Sequence, residues 1–161
     1  MRDRVPNCVW LRPALEADLP FFFGLQADPV ARARVRYVSR EYTACIRHWQ
    51  RVLADPALCV RSVMVGETLV GNICAFPRDG VREVGYWLDR AVWGRGIATA
   101  ALRLFIGEVE RTRPLHAGVA PHNTASARVL SKCGFVRNGE SDELVSSDPS
   151  PEPFDGWILR T

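Results

Sequence analysis

Two closely spaced glycines, Gly94 and Gly96, lie where the sequence predicts that a strand ends and a helix begins. Glycine can adopt positive φ angles and lets a ligand approach the main chain closely. The first amides of the following helix have no partner within it, and the helix dipole places partial positive charge at that end. A strand, a glycine turn and a helix start in this order are typical of an anion cradle, most often a phosphate site. The alternative is an ordinary tight connection, because glycine turns without ligands are common.

Two well-known phosphate cradles do not match this turn. No Gly-Lys-Ser or Gly-Lys-Thr closes it, which excludes the nucleoside-triphosphate loop. The third glycine of a dinucleotide fingerprint is missing, and the next predicted strand, Leu115 to Ala120, carries no acidic residue to hold a ribose. The sequence therefore predicts a different phosphorylated ligand.

The elements around the turn are predicted by the spacing of their apolar residues. In the strand before it, Glu83 and Trp87 fall on one side of an extended chain while Tyr86 and Leu88 fall on the other, as a half-buried strand requires. From Ile97 onward the apolar residues recur with the period of a helix.

Turn and capping signals along the rest of the chain predict the order β-α-α-β-β-β-α-β-α-β-β. The predicted strands are Cys8 to Arg12, Leu58 to Val65, Thr68 to Phe76, Glu83 to Asp89, Leu115 to Ala120, one from Phe135 to Gly139, and Gly156 to Arg160. The predicted helices are one that Asp18 caps and Asp28-Pro29 ends, then Ser39 to Ala54, Ile97 to Val109 and Asn123 to Cys133. A proline-rich loop is expected from Ser146 to Pro153. This order indicates an α/β domain with a mixed sheet.

Composition and charge limit the functional classes. With 161 residues, 47% hydrophobic and 24% charged, we expect one globular domain over residues 1–161, and disordered and fibrous classes are excluded. The net charge of +3 is too small to argue for nucleic acid. The arginines from Arg32 to Arg36, with Arg40 beyond, could hold an acidic acceptor or partner, or could form a solvated basic connector.

Cysteine usage and the amino terminus favour a cytoplasmic protein. The five cysteines are odd in number and scattered, without a Cys-x-x-Cys pair, so we expect reduced thiols and neither a disulfide framework nor a zinc site. The residues from Met1 to Pro6 have no apolar signal region, and no apolar run approaches the roughly 18 residues that a membrane span needs.

The order of elements and two motifs resemble the GCN5-related N-acetyltransferase (GNAT) superfamily, in particular its RimJ/RimL-type branch. The first motif is Gly85-Tyr86-Trp87-Leu88-Asp89 leading to Trp93-Gly94-Arg95-Gly96-Ile97-Ala98-Thr99. The second is Asn123-Thr124-Ala125-Ser126 followed by Val129-Leu130-Ser131-Lys132-Cys133-Gly134-Phe135. The resemblance covers nearly the whole chain. It implies a GNAT fold, with a mixed, mostly antiparallel central sheet of six to seven strands flanked by about four helices.

The resemblance also implies acetyl-coenzyme A as the co-substrate, without a metal. In the family the glycine turn grips the pyrophosphate mainly through backbone amides, the strand before it splays from its neighbour, and the pantetheine arm pairs with that strand. The matching cofactor-binding residues here are Tyr86, Trp87, Leu88, Gly94, Arg95, Gly96, Ile97, Ala98, Thr99 and Asn123. Trp93 stands where the family usually has Arg or Gln, a change that a cradle of amides should tolerate.

Acetyl transfer to an amine needs a route for the amine proton, alignment, oxyanion donors and a donor to the leaving sulphur. We choose Glu83 as the base, relayed through water, with an exposed strand-end carboxylate as the alternative. Asp89 ranks second, because its charge beside the turn would oppose a phosphate. The strand backbone near Leu88 can supply alignment and oxyanion donors.

The donor to the sulphur is assigned through the resemblance. Many relatives have a tyrosine at the position of Leu130, so that acid is missing here. In the RimJ/RimL arrangement Ser126 would donate to the sulphur and Asn123 would hold the pantetheine. The simpler roles are an N-cap for Asn123 and a solvent-facing serine for Ser126. His122 is expected at the surface, and Cys133 in packing.

The sequence thus predicts an N-acetyltransferase that moves an acetyl group to a primary amine by direct attack in a ternary complex. The acceptor would be a protein amino terminus or a small-molecule amine, selected by the segments Val30 to Arg40 and Val145 to Phe154. A non-catalytic acyl-coenzyme A binding module is the alternative. A nucleic-acid-binding domain is disfavoured, since no stacking platform or recognition motif is present. Homodimers are common in the family through its late strands.

Overall fold

One mixed sheet forms the frame of the molecule. The structure is a computed structural model that describes residues 8–35, 39–141 and 154–161. The strands in this part are β1 (Val9–Pro13), β2 (Cys59–Val65), β3 (Thr68–Arg78), β4 (Val81–Leu88), β5 (Leu115–Val119), β6 (Val136–Ser141) and β7 (Phe154–Leu159). They lie in the order β1-β2-β3-β4-β5-β7-β6, and each neighbouring pair is antiparallel except β4 and β5, which are parallel.

Helices cover both faces of this sheet. In the described residues they are α1 (Leu19–Ala27), α2 (Pro29–Val35), α3 (Tyr42–Ala54), α4 (Ile97–Leu104) and α5 (Thr124–Lys132). A wider turn of π-helix, Phe105–Val109, continues α4 as far as the sequence predicted. The predicted α/β class and mostly antiparallel sheet are confirmed, with seven strands and five helices in the part of the chain that the structure describes.

The helix α2 is the main element that the sequence did not predict, because its residues were expected to form a connector. The signal was present in Asp28-Pro29, which was interpreted only as the end of α1. The Asp28 carboxylate accepts a hydrogen bond from the Val30 amide at 2.9 Å, and Pro29 occupies the first helical position. An aspartate followed by proline therefore ends one helix and begins the next. The helix predicted from Ser39 begins three residues later, at Tyr42.

The predicted proline-rich loop from Ser146 to Pro153 lies outside the described residues, as does the segment from Met1 to Pro6.

Two hydrophobic cores lie on opposite faces of the sheet. One includes Leu102, Phe105 and Leu115, none of which is exposed, and packs α4 and α5 on the sheet. The other includes Phe22 and Trp49 and packs α1 and α3 on the opposite face. The alternation predicted for β4 is confirmed, because Tyr86 and Leu88 join the first core while Trp87 joins the second. Both faces of β4 are covered, so it is more buried than the half-buried strand that we predicted.

Asp18 does not cap α1 as predicted, since its side chain makes no capping hydrogen bond to that helix. Its carboxylate instead accepts two bonds from the Arg12 guanidinium, at 2.7 and 2.8 Å, one from the Ser62 hydroxyl at 2.7 Å, and one from the Leu15 amide at 2.9 Å. The hydrogen bonds from Arg12, followed by those from Leu15 and Ser62, lower the pKa of Asp18 to about 2 despite its burial. We call these four residues the Asp18 cluster.

Candidate functional site

The strand β4 is paired very differently along its two edges. Toward β3 it is paired at eight successive positions, from Gly71 opposite Leu88 to Arg78 opposite Val81. Toward β5 it is paired at one position, where Glu83 lies opposite His116. Beyond that point the two parallel strands diverge, and the end of β4 that leads into the glycine turn faces a gap. The splayed strand that the sequence resemblance implied is present.

Main-chain groups of β4 face this gap. The Asp89 amide donates to the Val70 carbonyl at 2.8 Å, which fixes the direction of its peptide group toward β3. Successive peptide groups of a strand point to opposite edges, so the N–H groups of Leu88 and Tyr86 point away from β3 and into the gap. The indole of Trp93 donates to the Leu88 carbonyl at 3.1 Å from that same side.

The glycine turn has the conformation that its sequence predicted. Gly94 and Gly96 have φ angles of 76° and 75°, in the left-handed region that favours glycine. A Cβ atom at either position would meet no heavy atom within 4 Å, so the turn is open on its outer side. The helix α4 begins directly after it, and its first amides point out of the helix end.

A cavity of about 990 Å³ connects the gap, the turn and the first turn of α5. Among the described residues that line it, every charged side chain is basic. These are Arg34, Arg95, Arg103, Arg128 and Lys132. A wall with a glycine turn, a helix start and five cations suits a polyanionic ligand. This combination supports the anion cradle over the ordinary connection that was its alternative.

The residues predicted to bind cofactor come together in this cavity. Tyr86, Trp87, Leu88, Gly94, Arg95, Gly96, Ile97, Ala98, Thr99 and Asn123 all line it, and so does Ser126. Glu83 does not line it, and it is 7% exposed at the closed end of the gap, where its Oε2 lies 3.5 Å from Arg78 Nε. The Asp89 carboxylate accepts a hydrogen bond from the Ala91 amide at 3.0 Å and also lies outside the lining.

Ser126 is held between two neighbours and is half-buried, so it is not the solvent-facing serine of the alternative interpretation. The Tyr86 hydroxyl donates to Ser126 Oγ at 3.2 Å, and Asn123 Nδ2 donates to the same oxygen at 3.3 Å. Asn123 also caps α5, because its Oδ1 accepts from the Ser126 amide at 3.2 Å. The N-cap interpretation of Asn123 is therefore correct, and Asn123 also lines the cavity. We call Tyr86, Asn123 and Ser126 the Ser126 cluster.

Burial determines the properties of Tyr86 in this cluster and of Leu130 and Cys133 nearby. Burial raises the pKa of Tyr86 to about 12. Leu130, at the position where a tyrosine acid was expected in relatives, is 1% exposed and packs in the core. Cys133 is buried and donates to the Thr99 carbonyl at 3.6 Å, which fits the predicted packing role.

The helix α2 lies along the cavity and is held by three contacts. The Arg34 guanidinium lies 4.1 Å from the centre of a Trp93 ring, Asp28 pairs with Arg90 at 3.1 Å, and His122 Nε2 lies 2.9 Å from the Ala33 carbonyl oxygen. The sequence did not predict that the arginine-rich segment would reach the glycine turn. Of its arginines, Arg34 contributes to the wall of the cavity rather than to a solvated connector.

The basic face of α5 was also missed, although its periodicity was readable. Ala125, Arg128, Val129 and Lys132 recur at helical spacing, and all four line the cavity. In the ranges 8–35, 39–141 and 154–161, no three His, Cys, Asp or Glu side chains are grouped as metal ligands would be. In the same described ranges, no helix has the length and hydrophobicity that crossing a membrane requires.

The chain is similar to known acetyltransferases. The family described as "Acetyltransferase (GNAT) domain" matches residues 9–136. The "Probable N-acetyltransferase YjcK" of Bacillus subtilis (strain 168) is 46% identical over an alignment of 80 residues, with 45% of this chain and 44% of that protein covered. The aligned stretch thus spans less than half the length of this curated relative.

Solved structures share the whole fold at low sequence identity. The aminoglycoside acetyltransferase AAC(6')-Ib, in complex with coenzyme A and kanamycin, has a TM-score of 0.76 at 17% identity, with 94% of each chain covered. The spermidine N-acetyltransferase from Vibrio cholerae, in complex with CoA and spermine, has a TM-score of 0.81 at 16% identity, covering 94% of this chain and 95% of that one. These similarities establish the fold.

Proposed function

The chain belongs to the acetyltransferase (GNAT) family, which matches residues 9–136, and on that premise we propose that it transfers the acetyl group of acetyl-coenzyme A to a primary amine. We further propose direct attack of the amine in a ternary complex, without an acetylated enzyme. The observation that carries the proposal is the gap between β4 and β5, which leads into the open glycine turn and a cavity whose charged wall is basic.

The residues present fit acetyl-coenzyme A as co-substrate. The turn from Gly94 to Thr99 offers backbone amides at a helix start for a pyrophosphate, with Arg95 beside it. The outward N–H groups of Tyr86 and Leu88 offer a strand edge to an amide-containing arm, in the manner of an added strand. When bound, this co-substrate supplies an acetyl thioester. Asn123 and Ser126 provide polar groups on the other wall of the cavity.

The chain's own groups divide the remaining tasks. The Leu88 amide is a donor for the developing oxyanion, since it points into the gap and is held by a rigid strand. The Ser126 hydroxyl is the proposed donor to the leaving sulphur. Glu83 is the proposed base, and its place at the closed end of the gap requires water to carry the amine proton to it.

The acceptor is proposed from chemistry and from the relatives. The two solved relatives were crystallised with kanamycin and with spermine, and both molecules are amines. A small-molecule amine is therefore one proposed acceptor, and a protein amino terminus is the other, in keeping with the RimJ/RimL-like motifs. We also propose a cytoplasmic location, and a homodimer remains a prediction.

Calorimetric titration with acetyl-coenzyme A, followed by an amine panel, tests the proposal. We expect binding, and mass spectrometry should show a gain of one acetyl group on at least one polyamine, aminoglycoside or peptide. Glu83→Gln should shift the pH dependence of the rate, with Glu108→Gln on the exposed end of the π turn as its control. No heat at about millimolar acetyl-coenzyme A, a concentration at the upper end of typical KM values, would contradict the proposal.

A binding module without catalysis is the second candidate. It is favoured by two observations, namely that Glu83 does not line the cavity and that Leu130 replaces a tyrosine acid with a core side chain. Tight binding of acetyl-coenzyme A with no acetylated product across the panel would support this candidate against the enzyme.

A further inference from the structure

The Tyr86 hydroxyl is a partly buried polar group to which the proposed function gives no role. It comes from β4, and its hydrogen-bond partner Ser126 lies 40 residues later on α5, so the contact spans the gap between the strand and the helix. Both side chains line the cavity.

We propose that Tyr86 is a positioning residue for the leaving sulphur: by donating to Ser126 Oγ, it turns the Ser126 proton toward the cavity, where the proton hydrogen-bonds the departing thiolate. The inference rests on the proposed acetyl transfer, and it assigns a task to a side chain rather than to the Tyr86 backbone.

The hydrogen-bonding capacity of the Ser126 hydroxyl is limited. A hydroxyl has one proton to donate and two lone pairs that accept. Tyr86 and Asn123 each donate to Ser126 Oγ, so both lone pairs are engaged. The hydroxyl of Ser126 can then form a further hydrogen bond only as a donor, and its proton must point away from both Tyr86 and Asn123.

The orientation of Asn123 is fixed independently. Its Oδ1 accepts the Ser126 amide hydrogen as the N-cap of α5, so its Nδ2 is the atom that faces Ser126 Oγ. An exchange of the two amide atoms would lose the cap, because it would place the Asn123 NH₂ group, a donor, against the Ser126 N–H. The hydrogen bond that Asn123 Nδ2 donates to Ser126 Oγ is therefore a consequence of helix capping.

Tyr86 remains a donor at all physiological pH values. Its hydroxyl is partly buried, and burial raises its pKa to about 12. Tyr86 therefore does not ionise when the thiolate appears nearby. Its hydrogen bond of 3.2 Å is longer than the roughly 2.5–3.0 Å that is usual between two hydroxyls, as is often found before a ligand tightens a site.

The step balances without a net change at Ser126. The amine lone pair forms the C–N bond, the C–S bond breaks, and its electron pair leaves on sulphur. The amine loses one proton, which passes through water to the base. Ser126 keeps its proton and shares it in a hydrogen bond with the thiolate, which takes up a proton from solvent after release.

The test compares coenzyme A with desulfo-coenzyme A, which lacks the sulphur, by calorimetry. Tyr86→Phe removes one hydroxyl and keeps the packed ring. We expect it to weaken coenzyme A binding by about fivefold at alkaline pH, where the thiolate is populated, and to leave desulfo-coenzyme A binding unchanged. The pH at which the bound thiol ionises, followed by thiolate absorbance, should rise. Tyr42→Phe, at an exposed tyrosine of α3, is the matched control and should change neither the affinity for coenzyme A nor the pH at which the bound thiol ionises.

A double-mutant cycle decides whether Tyr86 acts through Ser126. We expect Ser126→Ala to weaken coenzyme A binding by about tenfold, and Tyr86→Phe to add no further loss in that background. A full loss from Tyr86→Phe in the Ser126→Ala background would overturn the inference, as would equal losses for both ligands. If the unaltered protein binds neither ligand, the proposed function fails, and that result is distinct from a failure of the positioning role.

Discussion

The Asp18 cluster and the Ser126 cluster each hydrogen-bond one central side-chain oxygen group, but they differ in whether that group keeps an unused hydrogen-bonding position. Around Asp18 the donors are Arg12, Leu15 and Ser62, and the carboxylate has only acceptor capacity, which these donors fill. Around Ser126 two donors fill the acceptor capacity of a hydroxyl, and one proton is left over beside a cavity. The first cluster is complete within the protein and the second is not.

This difference indicates which polar cluster serves folding and which serves a ligand. A satisfied buried cluster contributes to stability, and removing one partner leaves buried groups unpaired. A cluster with a residual donor facing an open space gains its last hydrogen bond only when a ligand arrives. Substitutions at the two centres should therefore affect different quantities, stability at Asp18 and ligand chemistry at Ser126.

Asp18→Asn should have the largest effect, a loss of about 3 kcal/mol in the free energy of unfolding. The amide would place an NH₂ group against the Arg12 guanidinium and, in one orientation, also against the Leu15 amide, and the charge that pairs with Arg12 would be gone. Chemical denaturation measures the loss. The affinity of the folded fraction for acetyl-coenzyme A should stay the same, because Asp18 does not line the cavity.

Asp155→Asn is the matched control for that substitution. Asp155 pairs with Arg137 at 2.7 Å, the same distance as the shortest Asp18 contact, but the Arg137 side chain is 61% exposed. Exposed ion pairs contribute about 0–1 kcal/mol. Equal losses at the two sites would contradict the view that completion of the buried Asp18 cluster is what stabilises the fold.

Acid should remove the same contribution from the unaltered protein. The pKa of Asp18 is lowered from 3.8 to about 2, so its stabilisation is present above pH 3.8 and is lost as the pH falls toward 2. The loss should be roughly 2 kcal/mol in the free energy of unfolding. Burial opposes the shift at Glu110, but hydrogen bonds from Thr112 and Arg82 prevail and lower its pKa too, so it adds loss in the same direction.

The difference between two proteins isolates the Asp18 part of this acid loss. The free energies of unfolding of the unaltered protein and of Asp18→Asn, measured from about pH 5 to about pH 2, should converge as the pH falls, because Asp18 loses its charge in the unaltered protein. The loss at Glu110 is common to both proteins and cancels in the difference. Parallel curves would show that Asp18 does not titrate as described.

The sequence predicted what local patterns encode. The glycine turn, the alternation of β4 and the start of α5 at Asn123 depend on neighbouring residues, and the structure has each of them. Asp18 was assigned to its own helix because an aspartate before a proline is a local capping signal. Its partner Ser62 lies 44 residues away, and no local pattern could show that this contact competes with capping.

The same limit applies to the site. Membership of the cavity was predicted for residues on β4, the turn and α5, since a motif places them at the ends of adjacent elements. The contact of Tyr86 with Ser126 and the position of α2 depend on how separate elements pack. Arg34 looked like a solvated arginine because nothing near it in the chain indicates that Trp93 is its neighbour.

Ser126→Ala should affect catalysis more than stability. A hydrogen bond to a charged group is worth about 1.5–3 kcal/mol, so loss of the donor to the thiolate should lower kcat by about tenfold or more. Unfolding should change by less than about 1 kcal/mol, because water in the cavity can replace the hydroxyl for Tyr86 and Asn123. Steady-state kinetics with the best amine, and denaturation, measure the two effects.

Ser131→Ala, at an exposed serine of the same helix, is the control and should change neither kcat nor the free energy of unfolding. A large loss of stability with an unchanged kcat would place Ser126 with Asp18 as a structural centre.

The smallest predicted effect concerns Arg34, which belongs to neither cluster and joins α2 to the glycine turn. A guanidinium over an aromatic ring contributes about 0.5–1 kcal/mol at an exposed site, so Arg34→Ala should weaken acetyl-coenzyme A binding about threefold.

Arg34→Lys keeps the positive charge but loses the planar stacking on Trp93, and the two variants therefore separate these contributions. If both variants lose the same affinity for acetyl-coenzyme A, the effect comes from stacking. If Arg34→Lys keeps full affinity while Arg34→Ala loses affinity, and high salt removes this difference, the effect comes from charge. Arg47→Ala, at an exposed arginine of α3, is the control. No loss in either Arg34 variant would show that α2 lies beside the cavity without contributing to the ligand site.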